Sequence, residues 1–182
     1  SGSTDIYMGD GTNVMSATST FGNSATVDNK YGPTTLGRDV SNLYQGNGSD
    51  IDAQSYVTLD HWSGYASSTA YGVGNSALVN NYGEDTGLYA NQENYGDVNS
   101  NASLTGQSYT GGTGVVTSTS IGNAATATLC YACGDATLQG GINQMNSGQT
   151  VATGSVSTGY AGSIYGSATA VGNSATFQAT GN

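Results

Sequence analysis

The residues of this chain that could do chemistry are few, and their spacing argues against most of it. Cys130 and Cys133 form Cys-Tyr-Ala-Cys, a spacing that serves redox pairs, metal half-sites and haem attachment. Gly134 stands where haem attachment needs a His, and the single His, His61, cannot complete a four-ligand zinc site with them. A thioredoxin-like pair needs a βαβ setting, which the flanking residues do not offer. The two thiols are therefore expected to close a small-loop disulfide that pins a turn, with free thiols or a bond to another subunit as alternatives. Asp60, His61 and Ser63 are the residue types of a hydrolase triad. Neighbours on a strand point to opposite faces, however, and triads are assembled from separate segments. Trp62 and Tyr65 of the same stretch are expected to form an aromatic surface patch. Asp10, Asn47, Asp50 and Asp52 could offer oxygens to Ca²⁺, but they match neither an EF-hand loop nor a glycine-rich nonapeptide, so they read as solvated turn acids. No catalytic, cofactor-binding or metal residue is assigned, no cofactor is expected, and the chain is not expected to be an enzyme.

The elements that carry these residues follow from composition. Of 182 residues, 36% are apolar and only 8% are charged, with 29 Gly, 13 Tyr and one Pro. Disordered chains carry many charges and few aromatic or β-branched residues, so this mixture reads as tightly turning, ordered β structure. Lys30 and Arg38 face twelve acids, and the net charge of −10 repels phosphate backbones and anionic lipids. Nucleic acid partners and membrane insertion are excluded on that ground and by the lack of any apolar run near the ~20 residues a spanning helix needs. Ser1 opens directly into polar β-like sequence, so any export signal is expected to be already removed. Abundant Gly, Ser, Thr, Asn and Tyr with almost no Lys suggests an extracellular or bacterial cell-surface protein.

The informative feature is an internal repeat. FGNSATVDN (21–29), VGNSALVNN (73–81), IGNAATATL (121–129) and VGNSATFQA (171–179) set Asn at 23, 75, 123 and 173, steps of 52, 48 and 50. Weaker relatives at Asn47, Asn99 and Asn146 lie between them and suggest a unit of about 25 residues. The repeat motif comprises Gly22, Asn23 and Ala25; Gly46 and Asn47; Gly74, Asn75 and Ala77; Gly122, Asn123 and Ala125; and Gly172, Asn173 and Ala175. A small residue two positions after Asn and an apolar one four positions after is the period of a strand with one buried face. Gly before Asn reads as turn chemistry, since both tolerate positive φ. NKYG (29–32), HWSG (61–64), NYG (81–83), YTGG (109–112), YACG (131–134) and ATG (152–154) read as further turns.

The expected fold is thus all-β: a single repeat β-solenoid domain over 1–182, with a partial first unit (1–22) and about seven strand-turn-strand units starting near 23, 47, 75, 99, 123, 146 and 173. Stacking places Asn above Asn at each corner, where the amides hydrogen-bond from rung to rung. Neither terminal segment shows a charged amphipathic helix, a Pro cluster or a Lys-rich edge to block strand pairing, so the stack is expected to continue end to end across copies.

The GN-x-A segments, above all FGNSATVDN and VGNSALVNN together with SNLYQGNGSDIDAQ (41–54), resemble the curlin repeats of secreted curli-like fibre subunits, and the likeness runs over most of the chain. A looser similarity, to the curlin-like surface proteins that anchor bacterial holdfasts, accommodates the scattered positions of Gln45, Gln54, Gln92, Gln107, Gln144, Gln149 and Gln178 in a 25-residue unit. TAVGNSA (169–175) is similar to head repeats of trimeric autotransporter adhesins. These resemblances imply a structural protein of the bacterial surface, a functional amyloid whose partners are copies of itself, surface-anchor or secretion proteins and polysaccharide. The function expected is self-assembly into an extracellular filament for attachment or biofilm. The alternative is a monomeric or trimeric adhesin binding glycan or ice through a Thr/Tyr-rich face, on which Thr18 with Thr20 and Thr117 with Thr119 would lie.

Overall fold

The computed structural model describes all residues except 39–42, 110–111, 132–135 and 182, and the backbone alone of 108, 109, 131 and 181. It is all-β, with no helix among the described residues. The strands are β1 (Gly2–Asn29), β2 (Thr34–Leu36), β3 (Tyr44–Asn47), β4 (Ile51–Tyr82), β5 (Thr86–Asn94), β6 (Val98–Tyr109), β7 (Thr113–Tyr131), β8 (Leu138–Asn146), β9 (Thr150–Tyr160) and β10 (Ser163–Gly181). Every pairing is parallel, and each joins residues about 50 apart: Asn23 to Asn75, Asn75 to Asn123, Asn123 to Asn173. One sheet runs β10-β7-β4-β6-β9 with β1 on β4, and the other runs β2-β5-β3 with β8 on β5.

The hydrogen-bonded unit is therefore one coil of about 50 residues, not the 25-residue unit expected. Four coils lie in register: 2–50, 51–97, 98–149 and 150–181. Each complete coil has a first side (51–59 in the second coil), a corner, a long second side (65–82), a corner, and a third side (86–94). Hydrogen bonds and core contacts show that the long side packs against two shorter ones. Its first half meets the first side, as where Ser68 Oγ donates to Ser55 O. Its second half meets the third side, as where Asn75 Nδ2 donates to Glu93 O.

Two thin apolar clusters result. Ala53, Val57, Leu59, Trp62, Ala66, Ala70, Leu104 and Val116 fill the space between the first and second sides. Ala77, Val79, Leu88, Ala90, Ala125 and Ala127 fill that between the second and third. Small side chains suit a flattened coil whose layers lie close together. Trp62 is the largest side chain there, and it is 5% exposed: it plugs the first corner rather than forming the surface patch expected of it. Tyr65, at 37%, stays at the surface.

The corners at 29–32, 61–64 and 81–83 fall where expected, with positive φ at Gly32, Gly64 and Gly83. Residues 152–154, read as a turn, lie inside β9, and the segments at 109–112 and 131–134 fall largely outside the described residues. The Gly-Asn pairs are not corners either. Gly22, Gly74, Gly122 and Gly172 sit mid-strand, Gly46 sits within β3, and none has positive φ.

Candidate functional site

Three columns of amides run along the stack axis. Asn23 Nδ2 donates to Asn75 Oδ1, Asn75 to Asn123 and Asn123 to Asn173, each at 2.8 Å. The second N–H of each crosses the interior to a carbonyl on the third side: Gly46 at 2.9 Å, Glu93 at 3.0 Å and Met145 at 2.8 Å. Asn47 donates to Asn94 and Asn94 to Asn146, both at 2.7 Å. Between these columns, Gln92 Nε2 donates to Gln45 Oε1 at 2.7 Å and Gln144 to Gln92 at 2.8 Å. Buried amides of this kind are each satisfied by a neighbour above, a neighbour below and a carbonyl across.

A Gln ladder is thus present, although no common position for Gln exists in a 25-residue unit. Its signal is Gln-x-Asn at 45–47, 92–94 and 144–146, steps of 47 and 52. An apolar residue, Leu43, Ala90 or Ile142, stands two positions before each Gln. The Asn between the strong copies is consequently Asn94, not Asn99, which instead stacks on Asp52 and Val151. Three residues beyond each ladder Asn comes Asp50, Asp97 or Gln149, and the carboxylates of Asp50 and Asp97 accept the backbone N–H of the next coil at 2.9 and 2.8 Å.

The mid-strand glycines owe their place to this packing. A Cβ at Gly22, Gly74 or Gly122 would come within 3.0 Å of Oδ1 of the facing Asn47, Asn94 or Asn146. Glycine is there because an amide occupies the volume of its side chain. Ala77 and Ala125, two residues on, are 2% exposed and line the second cluster, while Ala25 and Ala175 hold the same place in the two end coils.

The other residues singled out do not converge. His61 Nδ1 lies 3.6 Å from Asp10, whereas Asp60 accepts weakly from Tyr7, so His61 has Asp10 of the neighbouring coil as its partner. Asn47 and Asp50 are taken up in the ladders, and no group of three His, Cys, Asp or Glu occurs among the described residues. Thr18 is buried on the inner parity of its strand, while Thr117 and Thr119 lie on the outer one, so the two Thr pairs share no face. Cys130 forms no disulfide among the described residues, and Cys133 lies outside them. On the outer surface, Glu93 accepts from Tyr44 at 2.8 Å and Tyr95 at 2.7 Å. Those two bonds hold its carboxyl below the usual range and push both phenols up. At the second corner, Lys30, Tyr31, Tyr82, Glu84 and Cys130 line a cleft of about 680 Å³.

Among the described residues, Asn23 Oδ1 has no donor, while Asn173 Nδ2 donates to Gln144 O at 3.5 Å. The outer edges of β1, β9 and β10 pair with no strand among the described residues.

No curated protein and no solved structure matches the chain. The family model of Holdfast attachment protein D matches residues 1–97, which are the first two coils with two members of each amide column. With 97 of its 182 residues matched, the chain belongs to the HfaD family, the holdfast attachment proteins D, and so to proteins of surface attachment.

Proposed function

We propose that this chain is an extracellular β-solenoid subunit that stacks end to end with copies of itself, forming a curli-like filament that serves holdfast attachment. The observation that carries the reading is the polarity of the ladder. One end offers an acceptor at Asn23, the other a donor at Asn173, and the carboxamide columns point the same way through all four coils. Continuing the internal register places Asn173 on Asn23 of the next copy, Ala175 on Ala25, Ile164 on Val14 and Val156 on Ile6. Like stacks on like, and Ile164, 49% exposed in the single chain, becomes buried. A heterologous contact of this kind does not close on itself and therefore propagates.

Negative-stain microscopy with fibre diffraction tests the reading. Filaments with a meridional spacing near ~4.7 Å are expected; single particles at high concentration would refute it. A second reading, a glycan-binding adhesin, draws on the cleft at Tyr31 and Tyr82, whose exposed rings and flanking Lys30 and Glu84 could stack on and hydrogen-bond a sugar. Binding on a glycan array, lost on Tyr82→Ala without loss of fold, would favour it.

A further inference from the structure

Charge is spread unevenly around the coil. The second sides of the four coils, at 13–29, 65–82, 113–131 and 163–181, hold Asp28 as their one charged residue, although the chain carries a net −10. Asp5, Asp52 and Glu93 lie on first and third sides, and Asp60, Glu84 and Asp97 lie at corners. The inner side of the second sides packs against the first and third sides, whereas their outer side chains stay partly exposed. This holds even in the two middle coils, for Tyr71 and Leu78 in the second and for Thr117, Thr119, Ile121 and Thr126 in the third. Those coils have strands above and below them, so the exposure belongs to the sheet face and not to an end of the stack. β4 pairs with β7, and β7 with β10, without a register shift, which makes the face a regular array with strands ~4.8 Å apart. The rings of Phe21 and Tyr71 meet on it at 5.8 Å.

We propose that the outer face of the second sides is a lateral interface at which two copies of this chain pack sheet against sheet, side by side rather than end to end. Charge, area and side-chain type together select a second copy as the occupant. Copies of net charge −10 repel wherever their carboxylates meet, and the second sides let them approach with a single acid, Asp28, at the margin near the second corner. A cationic or anionic partner would find almost no counter-charge there. The 18 residues from 65 to 82 at ~3.3 Å each, across four strands ~4.8 Å apart, present roughly 1,100 Å² on each copy, above the ~800 Å² per partner of a stable interface. Uncharged and largely β-branched side chains such as Thr117, Thr119 and Ile121 stand on alternate residues, the arrangement by which two sheets interdigitate ~10 Å apart. The Phe21 and Tyr71 pair adds an aromatic anchor. The contact joins the same surface of both copies, so it closes at two and leaves the stacking direction free.

The lateral contact does not depend on end-to-end stacking, and the test keeps the two apart. The full chain carrying Ile164→Lys, a position in register with buried Ala66 and outside this face, is followed by sedimentation equilibrium. A monomer–dimer equilibrium is expected. Thr119→Glu with Thr126→Glu should raise the dimer dissociation constant about tenfold or more, because it sets carboxylates against carboxylates. Ser103→Glu with Thr105→Glu adds the same charge to the outer side of β6 and should leave the constant unchanged. Tyr71→Ala, which alters no charge, should weaken the dimer too, and unfolding midpoints by circular dichroism check that each variant is folded. Monomers at every concentration overturn the proposal. So does a dimer indifferent to both the Glu pair and Tyr71→Ala, or one weakened equally by the control pair. Retention of a monomer on cellulose or chitin, lost with the Glu pair, would assign the face to a neutral polysaccharide and likewise overturn it. Filaments of the unsubstituted chain beside a monomeric Ile164→Lys chain sink the lateral contact alone, and dimers without any filaments sink the stacking alone.

Discussion

At the scale of single residues, the buried Asn side chains hold the interior together. Asn75 sits at 0% exposure and joins Asn23, Asn123 and Glu93 in one junction. Replacing it by Leu strips both neighbours and leaves a buried carbonyl unpaired, at about 1–3 kcal/mol for each unsatisfied group. Thermal unfolding by circular dichroism should show a midpoint lower by roughly 5–10 °C. Asn23→Leu, at an open end with one neighbour, should lower it by much less. The Tyr44–Glu93–Tyr95 cluster adds a pH signature. Glu93 is depressed by its bonds to Tyr95 and Tyr44, and Asp85 by the N–H and hydroxyl of Thr137. Stability from these carboxylates is fully present above the ordinary carboxylate range and is lost as pH falls through their folded values. Tyr44 and Tyr95 are raised, first by their bonds to Glu93, so their share is present below pH 10 and lost as pH rises past their folded values. In a phenolate absorbance titration, Tyr44 and Tyr95 should ionise above the ordinary tyrosine value, and Glu93→Ala should remove that upward shift.

At the scale of elements, strands of this length persist because inward positions alternate small, amide and small. The long second side must face two different strands, and the Asn column marks the break between them. Glycine before that Asn is a packing requirement, which predicts a contrast between two glycines in similar sequence. Gly74→Ala drives a Cβ against Asn94 and the Gly122 carbonyl, whereas a Cβ at Gly166 meets nothing within 4 Å. The first should cost about 1–3 kcal/mol, an overpacking penalty, and the second should be neutral within about 0.5 kcal/mol. Denaturant midpoints of the two variants measure the difference. Equal midpoints would mean that the ladder yields to accommodate the methyl group.

At the scale of the whole molecule, parallel, in-register stacking gives the chain a direction and two unlike ends. Ile164→Lys places an ammonium at the junction where Val14 of the next copy would sit. It should abolish filaments in negative stain while shifting the unfolding midpoint of the single chain little, because the side chain is half exposed there. Filaments of unchanged length would place the contact elsewhere.

Much of this could be read from the residues. Gly-Asn recurring at 22–23, 74–75, 122–123 and 172–173 fixes the period, and the alternation after each Asn fixes which face is buried, because a strand has period two. The positive-φ corners at Gly32, Gly64 and Gly83 were visible as turn clusters. What local pattern could not distinguish is a glycine that turns from a glycine that makes room, since both precede Asn and only the facing strand tells them apart. The same blindness halved the repeat. Asn99 looked like a midpoint by count, while Gln-x-Asn at 92–94 carried the true column, and only pairing over a 47-residue separation reveals which amide lies above which. Sequence alone determined an all-β, acidic, repetitive chain whose like residues stack. Tertiary structure decided the size of the coil, the burial of Trp62, and which amide lies above which, because those depend on contacts between residues far apart in the chain.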